Sequence, residues 1–110
     1  MHELSLAMEI IDRVRPGIPD GESLKSVQVT VGLLAGVCGD SLQFCFEELT
    51  RLEGYPDARL KVVSTPARYR CLSCDHEYET GTVELVCPAC GSMERTMLSG
   101  TEFLIDFIEV

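Results

Sequence analysis

Four cysteines constrain this chain more than any other feature: Cys71, Cys74, Cys87 and Cys90 are spaced C-x2-C-x12-C-x2-C. Each CxxC turn presents a pair of thiolates, and two such turns make a tetrahedral sulfur cage that suits structural Zn2+ and leaves no position for water. In the second turn, Cys87-Pro88-Ala89-Cys90-Gly91, the proline stiffens the backbone and the glycine lets amides approach the sulfur. In the first, Asp75 stands where a glycine is common. The twelve residues between the turns are enough for a hairpin. Such density of cysteine means disulfides in a secreted chain, but this spacing in a reducing compartment means metal. A closed site supplies folding energy and performs no chemistry, so the zinc explains a module and leaves the function open.

Around that module, 110 residues suffice for one ordinary domain or for one small domain carrying an insert. From Glu3 to Val14 the residues Leu4, Ala7, Met8, Ile11 and Val14 recur at helical spacing, with Met8 read as core, until Pro16 and Gly17 stop the pattern. Val27, Val29, Val31 and Leu33 alternate with Ser26, Gln28, Thr30 and Gly32, which reads as a strand with one buried face. From Ser41 onward Leu42, Cys45, Phe46, Leu49 and Leu52 predict a second helix, capped by Asp40 or Ser41 and stopped by Gly54. Further strands are expected at Ala58 to Ser64 and Phe103 to Val110, where Phe103, Ile105 and Phe107 share one face and Asp106 shows to solvent. Pro66 and Gly100 bracket the cysteine segment, which has little apolar period of its own. The expected fold is α/β: a small mixed sheet with two helices from residues 1–66 and 100–110, plus an inserted four-cysteine zinc-ribbon-like domain at 67–99.

Charge and motif content exclude several functions. Nine Lys and Arg against 18 Asp and Glu give a formal charge of −9, which repels phosphate backbones and anionic membranes. A zinc-ribbon module that binds nucleic acid or protein is the rival reading. Between Arg68 and Arg95, however, three basic residues face five acidic ones: Asp75, Glu77, Glu79, Glu84 and Glu94. No stretch approaches the roughly 18 apolar residues of a membrane span, and the first residues lack the basic-then-apolar pattern of a secretory signal. A cytoplasmic protein with no membrane or nucleic-acid partner is expected. Enzymatic activity is not expected, because His2 and His76 are the only histidines, Ser5 and Ser99 have no evident base, and no Gly-rich phosphate loop is present. Thiol redox chemistry at Cys71 and Cys74 would need that pair free of zinc. Cys45 reads as a small core hydrophobe and nothing further supports redox sensing with Cys38; His76 reads as a loop residue beside the first turn.

The opening Met1-His2-Glu3 offers a second ligand set. The Met1 amine, the His2 amide nitrogen and the His2 imidazole can close adjacent chelate rings around an ion that prefers planar nitrogen coordination, as nickel and copper do.

In order along the chain stand Met1-His2-Glu3-Leu4-Ser5-Leu6 opening a helix, "VQVTVGLLAGV" from Val27 to Val37, and Phe44-Cys45-Phe46-Glu47. The two CxxC turns follow, the second as Cys87-Pro88-Ala89-Cys90-Gly91-Ser92, and then Ser99-Gly100-Thr101-Glu102 before the last strand. Over essentially its whole length the chain resembles the HypA/HybF family of hydrogenase-maturation nickel metallochaperones. The resemblance implies Ni2+ as transient cargo and Zn2+ as structural metal, with a maturation GTPase and the [NiFe]-hydrogenase large subunit as partners. In some bacteria such proteins also serve urease maturation with its accessory proteins. It implies His2 as principal nickel ligand, Met1 contributing its amine, and Glu3 and Asp40 as matching positions. Cys38 and Cys45 depart from the pattern.

Overall fold

The computed structural model describes residues 2–81 and 86–110. Helix α1 (His2–Val14) buries Ala7, Ile10, Ile11 and Val14 in one stripe, as three- and four-residue spacing requires. A 3-10 turn, Arg15–Gly17, carries the chain off the helix, with Pro16 at a first-turn position that needs no amide donor. Met8 does not join the core as the spacing predicts: it is 53% exposed. Ile10 rather than Met8 continues the buried stripe, so Leu4 and Met8 form the helix's outer flank.

Strand β1 (Ser26–Gly32) turns Val27, Val29 and Val31 inward. Helix α2 (Gly39–Leu52) buries Leu42, Phe46 and Thr50. It begins earlier than expected, for Cys38 is the N-cap and Asp40 already lies in the first turn. Gly54 ends it as expected, with a φ of 93° that favours glycine, whereas Leu52 at the helix end is exposed. Strands β2 (Arg59–Thr65) and, near the C-terminus, one at Phe103–Glu109 complete a sheet in which β1 is central. Backbone bonds give the directions. Arg59 donates to Lys25 and Leu33 to Thr65, so β1 and β2 run parallel. Lys25 donates to Glu109 and Gly32 to Glu102, so the last strand runs antiparallel to β1. The sheet is therefore mixed, with α2 as the crossover of a βαβ unit, and Gln43 ties that helix to the Leu60 carbonyl at 3.0 Å. On the last strand Asp106 faces Thr30, which donates to it at 2.7 Å. Phe107 departs from the expected inward face and is 50% exposed.

The cysteine segment forms its own antiparallel sheet: β3 (Ala67–Cys71), β4 (Glu77–Thr80) and β5 (Arg95–Ser99), with β3 central; the Phe103–Glu109 strand is β6. Tyr69 pairs with Tyr78 on one side and Met97 on the other. Contacts divide the chain into two compact units, one of Met1–Thr30, Val37–Val63 and Leu104–Val110, the other of Val31–Gly36 and Ser64–Phe103. Within the second unit three segments converge. A Cβ on Gly32 would stand 2.2 Å from the Gly100 carbonyl oxygen, so only glycine fits there. Leu34 donates to that same carbonyl at 2.7 Å. Glu102 accepts the Gly100 amide and, at 2.8 Å, the Thr65 hydroxyl. No helix among the described residues is long and apolar enough to cross a membrane.

Candidate metal centres

The two CxxC turns fold alike because each repeats one set of backbone bonds. Asp75 donates to the Cys71 carbonyl at 3.0 Å and Gly91 to the Cys87 carbonyl at 2.8 Å; the Cys71 and Cys87 amides donate to His76 and Ser92, both at 2.9 Å. The residue after each second cysteine takes a left-handed backbone, φ 63° at Asp75 and 78° at Gly91. Asp75 thus does what the common glycine does, in a conformation that Asp tolerates better than most residues. In each turn an amide two residues on donates to the first sulfur, Ser73 to Cys71 and Ala89 to Cys87, both at 3.4 Å. Ser73 and Ser92 join the turns through a 2.9 Å hydroxyl contact.

These turns bring all four sulfurs within 4.8 Å of one another. The Cys71 and Cys90 sulfurs lie 3.6 Å apart and those of Cys74 and Cys87 3.8 Å. A tetrahedron with metal–sulfur bonds of about 2.3 Å has edges of about 3.8 Å, close to the separation of those two pairs, so the four sulfurs are set for zinc. Cys71 and Cys87 are buried while Cys74 and Cys90 are exposed. Charge explains why the cage calls for a cation. The Cys74 amide brings the Cys71 thiol down to about 7. Cys74, although the His76 amide favours its thiolate, is pushed up to about 12 by partial desolvation of its sulfur and by its neighbouring thiols. Four thiolates do not coexist at this separation without a dication among them. When bound, zinc supplies folding energy and a fixed geometry.

What braces this cage has no local signal in the amino-acid sequence. The Arg95 guanidinium sits 3.9 Å above the Tyr69 ring, Tyr69 and Tyr78 rings lie 5.5 Å apart, and the exposed His76 stacks on Tyr78 at 6.2 Å. Those residues are distant in sequence and meet only because β4 and β5 pair with β3.

Of the residues expected to hold nickel, Met1 lies outside the described residues. His2 is exposed and is the first residue of α1. The first amides of a helix have no intrahelical acceptor, so the His2 and Glu3 nitrogens are released from backbone pairing. Glu3 is half-buried, and its carboxylate accepts the Cys38 amide at 3.1 Å. That bond, together with the Glu3 amide and the nearby His2 and N-terminal charges, holds its carboxyl below the ordinary range. Asp40 is exposed in the first turn of α2, two residues beyond Cys38. The Cys38 thiol is lowered by the Ser41 hydroxyl and then by the Ser41 and Asp40 amides. His2, Glu3 and Asp40 do not form a closed ligand cluster; among the described residues only the four cysteines do.

Comparison with known proteins decides between the metallochaperone and the interaction module. The family described as "Hydrogenase/urease nickel incorporation, metallochaperone, hypA" matches residues 1–110. The chain belongs to the HypA family. Among relatives, the hydrogenase maturation factor HypA of Streptomyces avermitilis is 42% identical over 112 residues, covering 96% of this chain and 83% of the relative. That of Dehalococcoides mccartyi is 33% identical over 112 residues, covering 100% of this chain and 94% of the relative. The solution structure of the Ni metallochaperone HypA from Helicobacter pylori superposes with a TM-score of 0.59 at 21% identity, covering 97% of this chain and 95% of that one, and speaks to the fold. Family membership makes the chain a nickel metallochaperone of hydrogenase maturation. Its cargo is nickel, and its sulfur cage is that of a structural zinc.

Proposed function

We propose that the chain captures one Ni2+ at its N-terminus and hands it on by direct contact. The Met1 amine and the His2 amide and imidazole are the central ligands, with Asp40 joining them and Glu3 as the neighbouring residue of the site. Residues 1–66 and 100–110 form the nickel domain in this reading, and 67–99 the zinc domain held by Cys71, Cys74, Cys87 and Cys90. The recipients are a maturation GTPase and, through it, the hydrogenase large subunit, with urease accessory proteins where that enzyme is made. The process is cytoplasmic and involves capture and release without turnover, so the chain is not an enzyme.

The observation that carries the reading is the start of α1 at an exposed His2. A planar metal displaces an amide proton only where that amide is not committed to a helix ladder, and the first turn meets this condition. A terminal site is also open to an acceptor without unfolding the donor. The net charge of −9 favours cation approach and disfavours nucleic acid.

Equilibrium dialysis of the untagged chain against Ni2+, with elemental analysis of both metals, tests the reading. Wild type is expected to hold one nickel and one zinc, and His2→Ala to keep only the zinc. Equal nickel on both proteins would overturn the N-terminal site.

A further inference from the structure

We propose that Glu3 is a positioning residue for nickel capture, its carboxylate fastening the first turn of α1 to the start of α2 so that the N-terminal nitrogens and Asp40 share one metal shell. The inference rests on nickel being held at the N-terminus, and it gives the Glu3 side chain a task other than ligation.

The observation behind it is the 3.1 Å bond from the Cys38 amide to the Glu3 carboxylate, closed across 35 residues of chain. Glu3 is half-buried whereas His2, Leu4 and Ser5 on either side are exposed, so in this turn it is Glu3 that is held inward. Cys38 is the N-cap of α2, where an amide has no intrahelical acceptor and a carboxylate is the favoured partner. Glu3 itself lies in the first turn of α1, so one carboxylate answers two helix starts.

This arrangement addresses a physical difficulty. A chain terminus and a residue almost forty positions later meet at one ion only if conformational freedom is surrendered, and that loss weakens binding when it falls at the moment of capture. The Cys38 bond makes the payment during folding. Outer groups that orient ligands typically change metal affinity by about 10–100-fold.

The test uses the full untagged chain with its zinc, and Ni2+ alone as probe. Nickel affinity and hydrogen exchange at the Cys38 amide are measured for wild type, Glu3→Gln and Glu3→Ala. The Gln amide oxygen can still accept the Cys38 N–H but is a poor metal ligand. Glu3→Ala is expected to free the Cys38 amide and weaken nickel by at least about tenfold, while Glu3→Gln keeps both near wild type. Loss of nickel by Glu3→Gln with the Cys38 amide still protected would make the carboxylate a direct ligand and overturn the proposal. Unchanged affinity in Glu3→Ala would overturn it as well.

A double-mutant cycle with Asp40→Ala reads the coupling whatever the Gln variant does. If Glu3 acts by bringing Asp40 to the metal, Glu3→Ala has little further effect once Asp40 is gone; independent, multiplying losses would sink the idea. His2→Ala keeps the two readings distinguishable. Nickel retained there refutes the terminal site, while Cys38 exchange reports separately on the fastening.

Discussion

The helical unit and the cysteine unit solve the problem of order by opposite means. The first buries Ala7, Ile10, Ile11, Val14, Val27, Val29, Leu42, Phe46 and Leu60, an apolar interior shared by two helices and a sheet. Among its described residues the second buries Val31, Ala67, Tyr69, Cys71 and Cys87, two of them cage cysteines. One unit is held by water's exclusion from hydrocarbon, the other by metal–sulfur bonds braced with an arginine and two tyrosines. A segment whose described residues bury so little can be shaped by a cation because the ion supplies what packing cannot.

Removing zinc is the most forceful way to break that contrast. Structural zinc contributes about 10–16 kcal/mol of apparent binding in comparable peptides. Chelation should therefore erase the β3–β5 pairing while the helices persist. Amide spectra that collapse for residues 67–80 and 95–99, beside an unchanged helical circular dichroism signal, are the expected record; joint melting of both units would show that the metal supports the whole chain.

The converse experiment is Phe46→Ala. Phe46 is fully buried, and its truncation is expected to destabilise the helical unit by about 3–5 kcal/mol. Denaturant unfolding followed by helix signal should show this, with zinc content unaltered. Zinc lost in parallel would mean that the cage depends on the apolar core.

Acid gives the mildest and most local probe. Glu102 has its carboxyl held below the ordinary 4.5, first by the Gly100 amide and then by the Thr65 hydroxyl. A carboxyl lowered by folding contributes stability that is complete above its unfolded value and is lost as pH falls through the folded one. The contribution of Glu102 should therefore be flat above about 4.5 and decline below it. Comparison of wild type with Glu102→Gln checks the sign: their difference in stability should shrink on acidification below that value and stay constant above it.

Much of the helical unit was legible because its elements repeat apolar residues at the period of their own geometry. Val27, Val29 and Val31 announce a strand, and Ala7, Ile11 and Val14 a helix, before any partner is known. The cage was equally plain, since CxxC turns are local and the chemistry of sulfur fixes what they hold. Met8 and Phe107 were misjudged because helical or alternating spacing says that a face exists without saying where its edge lies. The start of α2 was missed because Cys38 caps without a typical capping side chain. β3 and β5 escaped notice because their order comes from pairing across two dozen residues rather than from a pattern within either strand.

The sequence by itself determined four thiolates at cage spacing and a net charge that welcomes cations, and it set second in the chain the histidine proposed to hold nickel. Their chemistry is carried by side chains and short turns, which tertiary structure does not alter. What only the tertiary structure decided is proximity. Glu3 meets Cys38, Arg95 covers Tyr69 and Gly32 admits the Gly100 carbonyl because separate segments are packed together, and no local rule encodes which distant residues will touch.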